Sequence, residues 1–191
     1  VIKQLAYFKE DLYHFVPKGQ PWTLRLFCKV LLEQRVSALC IYRFGRWVLH
    51  DSRGGLLFWP LKLLYICADK LFVQLLLGLS IPASCSIGPG LYINNFQGLV
   101  INGKARIGRK CSLGHGVIVG AAGNGVLGAP VIGDNVFIGS RAIVIGPITI
   151  GDNVRIGANA VVNRDVPPGV TVAGVPAKIV RRSASTAERQ E

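Results

Sequence analysis

Val131-Ile-Gly-Asp-Asn-Val-Phe-Ile-Gly-Ser-Arg-Ala-Ile-Val-Ile-Gly-Pro-Ile-Thr-Ile-Gly-Asp-Asn-Val-Arg-Ile-Gly-Ala-Asn-Ala-Val-Val162 is the stretch that decides the fold. An aliphatic residue returns every sixth position, at Ile132, Ile138, Val144, Ile150, Ile156 and Val162. The same beat runs upstream through Ile101, Ile107, Leu113 and Val119. A glycine often follows the aliphatic, as at Gly108, Gly114, Gly120, Gly133, Gly139, Gly151 and Gly157. Two positions ahead of it stands a second small or apolar residue, such as Ala105, Cys111, Val136, Ala142 or Ala160. A helix repeats near 3.6 residues and a single strand near 2, so neither accounts for a period of six. A hexapeptide β-helix does. Each repeat is a short strand and a turn, three repeats close one triangular coil, and Gly, Asp and Asn turn the corners.

Two interruptions break the beat. The coil begins near Ile81 and continues through Ile87 and Ile93, but the step from Ile93 to Ile101 is eight, so two residues bulge around Asn94–Gly98. The step from Val119 to Ile132 is thirteen instead of twelve and holds the glycine-rich run from Ala121 to Pro130. Irregularities in a solenoid mark its functional face, because the regular rungs only stack. After Val162 the repeat fades into Asp165-Val-Pro-Pro-Gly169, where prolines end the ladder by removing amide donors.

This divides the chain into an N-terminal helical region (1–80), a coil domain (81–182) and a polar tail (183–191). Phe8 to His14 and Leu24 to His50 carry helical apolar periodicity, with breaks at Gly19, Pro21 and Asp51–Gly55. Leu56 to Leu79 is the most apolar segment, but Pro60, Lys62, Asp69, Lys70 and Gln74 interrupt it, which argues against a membrane span. It reads as a helix packed on another subunit or on the coil, with a helix lying in a membrane interface as the alternative.

The net charge of +12 invites a nucleic-acid partner. Its distribution argues against one: residues 1–80 and residues 81–191 each carry 11 Lys and Arg and 5 Asp and Glu, with no basic helix or aromatic-interleaved strand. A diffuse positive field suits a phosphorylated cofactor, an anionic membrane surface or an acidic glycan. Cys28, Cys40, Cys67, Cys85 and Cys111 have no metal spacing and read as five buried thiols in a reducing compartment. No charged leader with an apolar core is visible at the start. The expected location is therefore cytoplasmic, with contact at the inner face of the membrane left open. His14 and His50 fall in the helical part and are assigned no role.

From Ser80 to Arg182 the chain resembles the hexapeptide-repeat acyltransferases, and more closely their serine acetyltransferase branch. The resemblance rests on Gly90-Leu-Tyr-Ile-Asn-Asn-Phe-Gln-Gly98, on the repeats, and on the closing Val172-Ala-Gly-Val-Pro-Ala-Lys178. It implies a left-handed parallel β-helix, a homotrimer or dimer of trimers, and acetyl-CoA as acyl donor in a groove between neighbouring coils. Matching motifs assign cofactor contacts to Gly120, Ala121, Ala122, Ser140, Ala158, Gly174, Pro176, Ala177 and Lys178. Related coils that bind zinc need several histidines, and His115 is the coil's single one, so no metal is expected.

The departures from the resemblance bear on the chemistry. Where serine acetyltransferases carry an Asp and the general-base His, this chain has Asn94 and Asn95. The supporting Asp falls on Ser80, and a later Arg-His pair falls on Gly128 and Ala129. An amide does not take up a proton near neutral pH, so Asn95 is no base, although it can donate to an oxyanion or an acceptor hydroxyl. Three repeats per coil put His115 one rung above Asn95, within strand spacing of the same cleft. His115 is the candidate base, and Asp134, counted as next in that column, is its candidate partner. The expected activity is O-acetylation of a sugar or polysaccharide precursor. Two alternatives stay open: a serine O-acetyltransferase-like enzyme with a relocated base, and a silent CoA-binding scaffold.

Overall fold

The computed structural model of the chain describes residues 2–15, 23, 30, 33–51, 58–95, 97–123 and 128–182. Its body is a stack of very short parallel strands in three sheets. The first contains β1 (Ser86–Ile87), β4 (Arg106–Ile107), β7 (Val131–Ile132) and β10 (Thr149–Ile150). The second contains β2 (Tyr92–Ile93), β5 (Ser112–Leu113), β8 (Phe137–Ile138), β11 (Arg155–Ile156), β13 (Val170–Ala173) and β14 (Lys178–Arg182). The third contains β3 (Val100–Ile101), β6 (Ile118–Gly120), β9 (Ile143–Ile145) and β12 (Val161–Val162). From β1 to β9 each strand pairs with the strand three further on, in register, as Ile87 with Ile107 and Ile107 with Ile132. Three strands therefore complete a turn, as the period of six predicts.

The alternation within each strand follows from its two residues. The first points outward and the second inward, so Ile93, Leu113, Ile138 and Ile156 stack in a dry column. Apolar residues fill the corner beside them, with Leu91, Cys111, Val136 and Val154 buried. At the corner after the first sheet the chain takes a left-handed backbone, with φ of 52° at Lys110, 56° at Asn135 and 59° at Asn153. Asparagine tolerates that conformation, and Asn135 Nδ2 donates to Asn153 Oδ1 one rung up at 2.8 Å.

The two ends are closed differently. At the C-terminal end the sequence points to prolines as the stop, but the closing run instead folds back as β14, antiparallel to β13. At the N-terminal end three α-helices among the described residues cover the first coil. These are α1 (Ile2–Leu12), α2 (Gln34–Arg46) and α3 (Trp59–Cys67), and α3 continues in wider π-type turns through Leu76. Pro60 at the start of α3 fits the first helical turn, where no amide donor is needed. Much of the sequence-based helix from Leu24 lies outside the described residues, and α2 begins only at Gln34.

Helix α2 satisfies the open edge of the first coil. The Tyr42 hydroxyl donates to the Cys85 carbonyl at 3.0 Å and accepts from the Ile87 amide at 3.1 Å. Arg43 donates to the carbonyls of Ile87 and Gly88 at 2.8 and 2.7 Å. The same guanidinium pairs with Asp11 of α1 at 2.9 and 3.2 Å, and the Asp11 carboxylate accepts the amides of Gly90 and Leu91 at 2.8 and 2.9 Å. Burial pushes the Asp11 carboxyl up, against the pull of Arg43 and the two amides. Leu39, Tyr42, Val73 and Leu77 join one continuous core with the coil.

Candidate functional site

The corner that follows the second sheet carries the candidate chemistry. The pairing of Leu113 with Ile138, Ile138 with Ile156 and Ile156 with Val172 aligns His115, Ser140, Ala158 and Gly174 in one column. The Arg141 amide donates to the His115 carbonyl at 2.7 Å, and the Asn159 amide to the Ser140 carbonyl at 2.9 Å. Gly114 is required here: a Cβ would lie 2.5 Å from the Ser140 nitrogen. His115 is half-buried, and its imidazole makes no hydrogen bond or ion pair among the described residues.

Below His115 lies the first interruption. The Asn94 amide donates to the Leu113 carbonyl at 2.9 Å, and regular contact resumes with the Gly116 amide on the Gln97 carbonyl at 2.8 Å. The extra residues thus fall between Asn94 and Gln97, where Asn95 is described and Phe96 lies outside the described residues. By this ladder the residue directly beneath His115 is Gln97, not Asn95 as the sequence count has it, and Asn95 lies in the bulge just before; both are exposed. Counting forward from Ile93 finds only Asn95; counting back from the Gly98–Gly116 contact finds Gln97 as well. Arg35 of α2 holds the near flank by donating to the Asn94 carbonyl at 2.9 Å. Its guanidinium is fixed by Glu33 at 2.8 Å and lies 5.1 Å from the Phe15 ring centre.

Asp134 does not belong to this column. It follows β7, at the corner after the first sheet, where its carboxylate accepts the Arg109 amide at 2.7 Å and its own amide donates to Asp152 at 2.7 Å. The sequence count took the thirteen residues from Val119 to Ile132 as two repeats. The strands β6 and β7 are consecutive, so those residues span one step with a long loop, and the residue above His115 is Ser140.

The assigned cofactor residues fall into groups on one prism. Ser140, Ala158 and Gly174 share the His115 column. Gly120, Ala121 and Ala122 lie at the far end of β6, at the base of the long loop, whose residues 124–127 are outside the described set. A Cβ at Gly120 would meet only ordinary contacts of 3.8 and 4.0 Å, so packing does not demand the glycine there. Pro176 and Ala177 turn the chain into β14, which begins at Lys178, and the Ala177 amide donates to the Val161 carbonyl at 2.8 Å. Between the His115 corner and the Gly120 corner runs the outer face of the third sheet. It is apolar, formed by Val100 and Ile118, both exposed, with Ile143 and Val161 half-buried.

Two of the cysteines behave as the sequence suggests: Cys85 and Cys111 are buried, and burial pushes both thiols up to about 11. Cys67 corrects the reading of five buried thiols, since it lies exposed on α3, and Cys40 is only half-buried. Cys28 lies outside the described residues.

The comparisons bear on this arrangement. Residues 129–164 match the family described as bacterial transferase hexapeptide (six repeats). WcaB of Escherichia coli K12, provisionally named a colanic acid biosynthesis acetyltransferase, is 32% identical over 162 residues, covering 85% of this chain and 94% of that protein. The chain belongs to the bacterial hexapeptide transferase family. This hexapeptide transferase is also 42% identical over 115 residues to a serine acetyltransferase of Mycobacterium tuberculosis, covering 59% of the chain and 49% of that enzyme. It spans about half the length of that relative and 62% of a Synechocystis serine acetyltransferase. Among solved structures, a Brucella abortus serine acetyltransferase in complex with coenzyme A superposes with a TM-score of 0.78 at 25% identity, covering 96% of this chain and 70% of that one.

Proposed function

We propose that this hexapeptide transferase moves an acetyl group from acetyl-CoA to a hydroxyl of a sugar or polysaccharide precursor, with His115 as general base. The observation that carries the reading is the His115 column. The coil's one imidazole aligns with the small residues Ser140, Ala158 and Gly174 and stands over a bulge that presents the amide side chains of Asn94, Asn95 and Gln97.

The chemistry follows from the side chains present. The His115 imidazole takes the acceptor hydroxyl proton as the oxygen forms a bond to the thioester carbon. The Asn95 amide stabilises the oxyanion that develops there. When the carbon–sulfur bond breaks, the imidazolium returns the proton to the CoA sulfur, so one ester and one free thiol are formed. Small residues at Gly120, Ala121, Ala122, Ala158 and Gly174 leave room for a pantetheine arm to run close to the backbone. Lys178 and the exposed Arg181 and Arg182 supply charge for phosphates.

The fold and assembly in this reading are a left-handed coil and a homotrimer. A three-fold ring joins unlike surfaces, so the His115 flank of one chain would adjoin the Gly120 flank of its neighbour. The apolar outer face of the third sheet, lying between those flanks, supports that arrangement. The similarity to WcaB along nearly its full length supports a glycan acceptor. The replacement of the serine enzymes' acidic and basic side chains by Ser80, Asn94, Asn95, Gly128 and Ala129 counts against free serine.

Those same replacements favour one second reading, a silent CoA-binding scaffold. Free-thiol release from acetyl-CoA, measured across sugars, glycan fragments and serine, separates the readings. Release with a sugar or glycan fragment and none with serine is the expected result. Serine as the preferred acceptor would overturn the acceptor class, and CoA binding without release would favour the scaffold.

A further inference from the structure

Helix α3 with its π-type continuation touches the rest of the described molecule mainly along one stripe. Tyr65, Asp69, Val73 and Leu77, four residues apart, are buried. Phe72 packs partly on the same core, while Trp59, Leu63, Leu64, Leu71, Leu75 and Leu76 are exposed, Leu75 by 79%. An apolar face of this extent marks a contact surface.

Charge distinguishes the partners that could cover it. The one acid of the helix, Asp69, is turned inward at 7% exposure, accepts from Gln74 Nε2 at 2.7 Å, and has its carboxyl pushed up by burial. Its cations remain at the surface, Lys62 half-buried and Lys70 exposed with its ammonium on Gln74 Oε1 at 2.9 Å. Asp51, at the end of the preceding helical turns, is held by Gln4 Nε2 at 2.7 Å. The face is therefore apolar with a cationic flank, on a chain of net charge +12.

We propose that this face docks the protein on an anionic lipid surface, with Trp59–Leu76 lying in the plane of the interface. No described helix is long and apolar enough to cross a membrane. An interfacial helix needs apolar area on one side and cations near the headgroups, and this helix has both. A second copy is the other candidate occupant. It would bring Lys62 and Lys70 of both copies against one another, whereas anionic headgroups neutralise them. The inference stands apart from the acetyl-transfer reading.

The test is co-sedimentation of the purified full chain with vesicles of phosphatidylcholine alone and with about 30 mol % phosphatidylglycerol. Binding to the anionic vesicles at least about tenfold tighter than to the neutral ones is expected. In a Leu71→Glu/Leu75→Glu variant it should fall about tenfold or more, with circular dichroism and sedimentation velocity unchanged. Because both leucines are exposed, that variant keeps its core; Lys62→Glu/Lys70→Glu is a second variant and should remove the preference for anionic lipid. The proposal is overturned if the wild type ignores anionic vesicles, or if the folded leucine variant binds them as well as the wild type. It is equally overturned if that variant drops to a smaller oligomer while the wild type shows no vesicle binding, which would assign the face to a copy–copy contact.

Discussion

In the proposed reaction Asn95 and His115 carry different parts of the chemistry, because an amide donates but does not take up a proton near neutrality. Replacing Asn95 with Ala should lower kcat by about 10²-fold while leaving CoA affinity unchanged, as for loss of one oxyanion donor. Steady-state thiol release with calorimetric CoA titration checks both halves. The thiols give an independent probe of burial. Because burial raises Cys85 and Cys111 to about 11, neither is expected to react with iodoacetamide below pH 9 in the native protein, whereas exposed Cys67 reacts. Peptide mass mapping after native labelling decides this. At this scale the sequence reads unevenly. Inward positions are legible because burial enforces the aliphatic beat. The Asp134 assignment fails because a loop of unknown path makes repeat counting ambiguous between Val119 and Ile132. Gln97 is hidden for the same reason, since a two-residue bulge can be counted from either end.

The coil and the helical cap differ in how much of each is written in local pattern. A strict period of six specifies strand, turn and register together, so the three sheets follow from it. The cap depends on side chains reaching backbone groups far along the chain, and such bonds leave no periodic trace. Arg43 and Asp11 are 3% and 1% exposed, and Arg43 closes the first coil through the carbonyls of Ile87 and Gly88. Arg43→Met leaves the Asp11 carboxylate buried without its partner and should cost about 3–5 kcal/mol. Arg35→Met, which removes a partly exposed pair, should cost no more than about 1 kcal/mol. Urea unfolding of the two variants side by side tests the contrast. The Arg35 variant should instead lower turnover, because it frees the carbonyl of Asn94 beside the bulge.

On the scale of the whole molecule, the proposed site requires more than one chain, because the two groups of small residues lie on opposite flanks of the third sheet. The apolar outer face between them is the surface a neighbouring chain would cover. If the proposed trimer forms through this face, Ile118→Glu should convert it to monomer in sedimentation velocity and reduce acetyl transfer by at least about tenfold, since a charge on a buried contact is costly. Assembly is only faintly legible in the sequence. Val100, Ile118, Ile143 and Val161 occupy outward positions where a solvated coil would carry polar residues, but the signal appears only once the register identifies them as neighbours. The central claim is that His115 takes the acceptor proton. Thiol release from acetyl-CoA by His115→Ala, with the best sugar acceptor and with CoA binding measured in parallel, tests it most directly. The account predicts a fall of about 10²–10⁴-fold with CoA affinity unchanged. Turnover within a few-fold of the wild type would contradict it.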